Sequence, residues 1–175
     1  MELWDVYDKN GKPTGRTHVR GVPMEPGDYH LVVGVLVFNS RDEVFCTRRS
    51  LQKGFMPGKW ENTQGGVTAG EDSLTAARRE LLEETGLDLG AGRLTLIYSE
   101  TKEKYGALAD VYAVRADFPL ESVTLQEGET DSAAWVPYPE WLRRFQACDI
   151  VFPVNHENPA FYRAVEQFLE SGGNG

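Results

Sequence analysis

Apolar and polar positions along the chain divide it into short extended segments, one long amphipathic helix and two helices near the end. Leu3 to Tyr7 reads as a strand, and Asp8-Lys9-Asn10-Gly11-Lys12-Pro13 after it is a turn whose Asn-Gly pair favours a hairpin. Residues 20–28 hold two prolines and two glycines and read as a loop. Tyr29 to Phe38 is a β-branched, nearly continuous apolar run, the pattern of a buried strand. Asn39 to Asp42 turns it into a second strand, Val44 to Arg48. The loop 50–59, with Gly54, Pro57 and Gly58, leads to a short strand, Trp60 to Gln64.

The period then changes to that of a helix. Leu74, Ala77 and Leu81 form one apolar stripe between Ser73 and Thr85. Asp72 or Ser73 can cap the N-terminus, and Gly86 stands where a left-handed residue would end the helix. Strands are predicted at Leu94 to Glu100, Leu108 to Ala116 and, shorter, Ala133 to Val136. Helices are predicted at Pro137 to Ala147 and Pro159 to Leu169, each with proline near its start. The expected architecture is α/β (α+β): one domain over residues 1–170, a mixed sheet with helices packed on it, followed by a flexible tail, Ser171 to Gly175.

Composition narrows the function classes. The chain has 175 residues, 41% hydrophobic and 26% charged, which suits one globular domain with a real core. Its formal charge of −9 and the absence of a basic stripe argue against a nucleic-acid polymer as partner. Free nucleotides stay open, since a metal can neutralise a phosphate that the protein itself repels. Cys46 and Cys148 form neither a disulfide framework nor a zinc pattern, and read as reduced thiols of a cytoplasmic protein. No apolar run approaches the roughly 20 residues needed to span a bilayer, so no membrane is expected.

The chemistry concentrates in residues 65–87, a glycine-rich loop running into the helix. Glu80, Glu83 and Glu84, at i, i+3 and i+4, share one helical face. Like charges so placed repel by a few tenths of a kcal/mol per pair, roughly. A hard divalent cation is the simplest reason to gather them. Gly65, Gly66 and Gly70 permit tight turns where a side chain would block the approach of metal or phosphate.

Taken with Glu71, Arg79, Gly86 and Leu87, the spacing resembles the Nudix box of the Nudix hydrolase superfamily. The resemblance implies an αβα sandwich that hydrolyses a small-molecule diphosphate, a nucleoside diphosphate linked to another group, with Mg²⁺ or Mn²⁺ as cofactor. It implies that Glu80, Glu83 and Glu84 ligate metal and that a backbone carbonyl at the start of the box, here that of Gln64, is a further ligand. Arg79 and Glu71 are expected to pair and tie down the loop. A second catalytic carboxylate in this family often precedes the last strand. Glu127 and Glu129 fit that placement, with Glu100 and Glu103 as further candidates, and Glu129 is preferred.

Residues 2–63 also resemble a subgroup that includes the isopentenyl-diphosphate isomerases, through Trp4-Asp5-Val6-Tyr7-Asp8, Tyr29-His30, Arg48-Arg49-Ser50 and Pro57-Gly58-Lys59-Trp60-Glu61-Asn62-Thr63. Those isomerases protonate an alkene with a cysteine and bind metal through several histidines. Here Gln64 and Gly65 occupy the cysteine's segment, and only His30 matches a histidine ligand, so hydrolase is favoured over isomerase. A non-catalytic nucleotide-sensing module is the remaining alternative, opposed by the complete set of glutamates. Arg48, Arg49, Lys53 and Lys59 are expected to contact a diphosphate. Tyr98, Tyr105, Tyr112 and Phe55 can stack a base or form core, and core is preferred; a homodimer through the N-terminal hairpin is a further expectation, which composition does not show.

Overall fold

The computed structural model describes residues 2–173. The chain opens with the expected hairpin, β1 (Leu3–Tyr7) and β2 (Pro13–Val19). Asp8 Oδ1 accepts the amides of Asn10 at 2.8 Å and Lys12 at 3.0 Å, which closes the turn. The hairpin joins the body where Tyr7 and Tyr29 exchange backbone hydrogen bonds of 2.8 and 2.9 Å, and where Trp4 stacks on His30 at 4.1 Å. His30 Nδ1 lies 3.0 Å from the Gly106 carbonyl, so this histidine is a hydrogen-bonded structural residue.

The main sheet is mixed. Strand β3 (His30–Phe38) turns into β4 (Glu43–Arg49), and the two pair through Phe38 and Val44 beside the turn. Beyond that point each finds other partners. Strand β3 runs parallel to β8 (Ala107–Arg115) along its whole length, and β8 is antiparallel to β7 (Thr95–Lys102). Strand β4 is antiparallel to β9 (Thr130–Pro137). The gap between β3 and β4 is filled by one segment that changes partner midway: β5 (Trp60–Glu61) pairs with β4, whereas β6 (Thr63–Gly66) pairs with β3. The single strand expected at Trp60 to Gln64 is therefore two, with Asn62 at the switch. Asn62 is fully buried and satisfied: Nδ2 donates to the Phe45 carbonyl at 2.8 Å and to Cys46 Sγ at 3.5 Å, and Oδ1 accepts from Trp141 Nε1 at 2.9 Å.

Alternation along β3 sends side chains to both faces, which explains the continuous apolar run. Val33, Val35 and Val37 meet helix α1 (Ser73–Thr85) through Ala76, Ala77 and Leu81. Leu36 and Phe38 meet α2 (Tyr138–Gln146) and α3 (Pro159–Glu170) through Trp141, Phe145, Phe161 and Val165. The result is the expected αβα sandwich. Gly34 shares the second face, and a Cβ there would stand 2.6 Å from Phe152 Cζ and 3.0 Å from Pro153 Cγ. Gly34→Ala is expected to cost about 1–3 kcal/mol. Thermal unfolding should show a melting temperature lower by roughly 3–10 °C; an unchanged melting temperature would contradict this packing.

Strand β10 (Ile150–Val151), parallel to β5, has no counterpart in the sequence pattern because two residues carry no period. Tyr112 is buried as expected and Tyr98 packs edge-on to Phe161 at 5.5 Å. Phe55 and Tyr105 instead stand 62% and 61% exposed, contrary to a core role: Phe55 lies in the loop between β4 and β5, and Tyr105 ends a short helical turn between β7 and β8. Of the expected tail, Ser171 to Gly173 closes α3, with Gly173 N donating to the Phe168 carbonyl at 3.1 Å; Asn174 and Gly175 lie outside the described residues. No helix among the described residues is long and apolar enough to cross a membrane.

Candidate active site

Helix α1 is fixed at both ends by the residues its sequence offers. Asp72 Oδ1 accepts from Thr75 N at 2.7 Å, and Gly86, at φ 72°, donates its amide to the Leu82 carbonyl at 2.8 Å. With Ala76, Ala77 and Leu81 buried against β3, the rotation of the helix is set. Glu80, Glu83 and Glu84 then face a cleft of about 680 Å³ beside the end of β6, which Glu71, Gln64, Lys53 and Glu129 also line. Gly65 is indispensable to this approach: a Cβ there would lie 2.0 Å from Glu80 Cδ and 2.1 Å from its Oε1. The Glu80 carboxylate rests directly on the strand backbone.

Arg79 organises the other side. Its Nε and Nη2 donate to the two oxygens of Glu71 at 3.0 and 2.9 Å, and Nη2 also donates to the Gly66 carbonyl at 3.0 Å. Its Nη1 reaches Glu80 at 2.7 Å and Glu83 at 3.3 Å. Glu71 Oε2 in turn accepts from the Thr68 amide at 3.2 Å and hydroxyl at 3.0 Å. Arg79 and Glu71 thus tie the loop to the helix. Burial would raise Glu71, but hydrogen bonds from Arg79 and Thr68 outweigh it and hold the carboxyl below its usual range. The Glu71 hydrogen bond raises Arg79 further, keeping it charged.

A NUDIX domain model matches residues 28–151, most of the chain. The chain belongs to the Nudix family. It is 34% identical to a Nudix hydrolase of Listeria monocytogenes over 139 residues, covering 78% of this chain and 80% of that protein. It is also 29% identical to the isopentenyl-diphosphate Delta-isomerase of Cutibacterium acnes, covering 95% of this chain and 85% of that protein. The crystal structure of DR0079 from Deinococcus radiodurans superposes with a TM-score of 0.69 at 21% identity, over 85% of this chain and 91% of that one, which supports the fold.

In this Nudix hydrolase the carboxylates differ sharply in environment. Burial raises Glu84 well above the usual carboxylate range, and the nearby charges of Glu61 and Glu80 raise it further. Its Oε2 is buried and makes no well-formed hydrogen bond. Burial also raises Glu80, against which Arg79 pulls. Glu83 is half exposed at the rim. Among the described residues, no three His, Cys, Asp or Glu side chains are already gathered into a ready-made metal site. Arg79, bonded to both Glu80 and Glu83, is the group that occupies the space between those two carboxylates.

The basic residues separate into different roles. Lys53 lines the cleft and pairs with Glu129. Arg49 is buried and bound to Glu61 at 2.6 Å, so it is a structural ion pair and no free diphosphate contact. Arg48, its neighbour on β4, is directed elsewhere and pairs with Asp131 at 2.7 Å. Lys59 lies 3.6 Å from Asp149. Arg48 and Lys59 do not line the cleft, because strand alternation and the loop after β4 carry them away from it. Glu129 lines the cleft and Glu127 does not. Glu100 is bonded to Tyr98 Oη at 2.9 Å and to the Asn155 amide at 2.7 Å, and Glu103 starts a separate helical turn, Glu103–Tyr105. Gln64 lines the cleft, and its side chain reaches Glu61 and the Val151 carbonyl, both at 3.3 Å.

Glu61 escaped the sequence reading as a site residue. It is 1% exposed, raised by burial against the pull of Arg49, and close enough to raise Glu84 in turn. The available signal was an acid on a short strand between Trp60 and Asn62, with an arginine on the preceding strand to match it. Arg20 and Glu2, paired at 2.7 Å on the cleft rim, had no such signal.

Proposed function

We propose that this Nudix hydrolase cleaves a diphosphate linkage in a nucleoside diphosphate derivative or a related organic diphosphate, and that it depends on Mg²⁺ or Mn²⁺. One observation carries the reading: Glu84 holds a buried carboxylate oxygen that makes no well-formed hydrogen bond, near the Thr63 hydroxyl and next to Glu80 and Glu61, in a cleft where the bare backbone of Gly65 leaves room for the Glu80 carboxylate. Oxygen donors of this kind suit a hard divalent ion, and an uncompensated buried carboxylate is costly unless a cation joins it. A bound ion supplies positive charge against the diphosphate and makes a water more acidic.

The residues of the chain divide the remaining work. Glu80, Glu83 and Glu84, with the Gln64 carbonyl, would hold the ion, and Arg79 would have to give up its bonds to Glu80 and Glu83 while keeping those to Glu71 and Gly66. Lys53, which lines the same cleft, would contact the diphosphate. Glu129, beside Lys53, is placed to take a proton from the attacking water.

An isomerase reading has the similarity to the Cutibacterium acnes isomerase in its favour but lacks its acid. Cys46 is buried on β4, where burial pushes its thiol up to about 12, and neither Cys46 nor Cys148 lines the cleft. A panel of nucleoside diphosphate derivatives together with isopentenyl diphosphate, assayed with Mg²⁺ and with Mn²⁺, tests both. We expect release of nucleoside monophosphate or phosphate that stops on adding a chelator, and no isomerised product. Calorimetry should show Mn²⁺ binding to the protein alone. Turnover that survives metal removal, or isomerisation without hydrolysis, would reject the reading.

A further inference from the structure

The N-terminal hairpin, β1 with β2, precedes residues 28–151 and so lies outside the matched family domain. It nevertheless reaches the glycine-rich loop, whose residues Thr68 to Glu71 line the cleft. Asp5 Oδ2 accepts the Gly70 amide at 2.7 Å, and the Leu3 carbonyl accepts the Ala69 amide at 2.8 Å. Trp4, between them, lies against Gly66, where a Cβ would stand 2.8 Å from the indole Nε1. Strand β1 therefore holds the loop from outside. Arg79 holds it from inside, through Glu71 and the Gly66 carbonyl. The hairpin register shifts between Asp5 and Tyr7, and irregularities of this kind re-aim side chains.

We propose that Asp5 is a positioning residue for the catalytic cleft: by holding the Gly70 amide it fixes Glu71, and through Glu71 it fixes Arg79. The inference rests on the hydrolase reading for the ion that Glu80, Glu83 and Glu84 would hold. Gly70 takes a left-handed backbone (φ 83°) immediately before Glu71, so the amide that Asp5 grips sets the direction in which the chain enters Glu71. A carboxylate on a backbone N–H makes a charge-assisted bond, stronger than a neutral one. Arg79 and a cation compete for the same oxygens of Glu80 and Glu83. Arg79 gives way only if its other anchors, Glu71 and Gly66, stay where they are, and both belong to the loop that β1 clamps. A loop free to shift would follow Arg79 toward the carboxylates and leave the guanidinium in the cation's place.

The test is Mn²⁺ binding by calorimetry and backbone hydrogen exchange over residues 66–71. It uses the full chain unaltered and as Asp5→Ala, Asp5→Asn and Thr14→Val. Thr14 Oγ1 donates to the Val6 carbonyl at 2.8 Å, so its substitution loosens the hairpin internally without touching the loop. Asp5→Ala is expected to weaken Mn²⁺ binding by about 3- to 10-fold and to speed exchange at Gly70 and Glu71 by about 5- to 20-fold. Asparagine keeps an oxygen for the Gly70 amide, so Asp5→Asn should stay within about twofold of the unaltered protein. Thr14→Val should lower the melting temperature and leave Mn²⁺ affinity unchanged. Unchanged affinity or unchanged loop exchange in Asp5→Ala would overturn the proposal. So would an equal loss of affinity in Asp5→Asn, or in Thr14→Val, which would reduce the hairpin's part to stability. If the unaltered protein binds no Mn²⁺, the hydrolase reading fails and takes this proposal with it. If it binds Mn²⁺ and is indifferent to Asp5→Ala, this proposal fails alone.

Discussion

Glu84→Gln is expected to lower kcat by about two to three orders of magnitude and, in the same molecule, to raise the stability of the metal-free protein. Activity falls because a neutral amide cannot replace the anionic oxygen that the proposed ion needs. Stability rises because the native fold buries this carboxylate beside Glu61 and Glu80, which holds its pKa well above the usual range. The sign follows from proton binding. At low pH the group is protonated in both the folded and the unfolded chain and contributes nothing. As pH rises past the ordinary carboxylate value, the unfolded chain gives up its proton first, so the folded state loses stability until pH passes the raised native value. Glutamine has no such loss. The variant's advantage in melting temperature should therefore be near zero around pH 4 and reach about 2 °C or more at pH 8 without metal. Adding Mn²⁺ should reverse the order by stabilising the unaltered protein. Unchanged turnover, or a variant that is less stable at pH 8, would refute the role assigned to Glu84.

Asn62→Ala should have the largest effect on stability, about 2–4 kcal/mol by urea denaturation. The side chain is fully buried and serves three partners, Phe45 O, Cys46 Sγ and Trp141 Nε1. Its removal leaves the indole N–H of the equally buried Trp141 and a sheet carbonyl unsatisfied, and opens a void where β5 gives way to β6. Glu61 on one side of Asn62 and Gln64 and Gly65 on the other both border the cleft region, so activity should fall along with stability even where the variant remains folded. A loss below 1 kcal/mol (roughly the worth of one ordinary hydrogen bond) would mean that the switch between partner strands does not depend on this side chain.

The basic residues show how far local pattern reaches. Four cations near one loop suggested a diphosphate contact, yet only Lys53 lines the cleft. Arg48 and Arg49 are adjacent on β4, so alternation sends them to different surroundings, and which one faces inward depends on register. That register is set by β5, the next strand, and by β9, far away in the chain, with an irregularity between Arg48 and Arg49 opposite β9. Glu129 was picked out through the family resemblance by its place before β9, and Lys53 as a cation near the loop, but their pairing was not legible.

The sequence by itself determined the parts whose causes are local. The 3.6-residue period of α1, its Asp72 and Gly86 caps, and the spacing of Glu80, Glu83 and Glu84 act within a few turns, so the carboxylate face, the glycine loop and the Arg79–Glu71 tie could all be read in advance. The apolar stripe of α1 and the β-branched run from Tyr29 likewise implied a sheet with helices packed on it, and the family resemblance implied an αβα sandwich. Tertiary structure alone decided what lies across from that face. It brought Glu61 near Glu84, left Phe55 and Tyr105 in solvent, and split the Trp60 to Gly66 segment between two partner strands. Each of these depends on strands that meet from distant parts of the chain. Burial and charge–charge coupling depend on distance in space, and no local period carries that information.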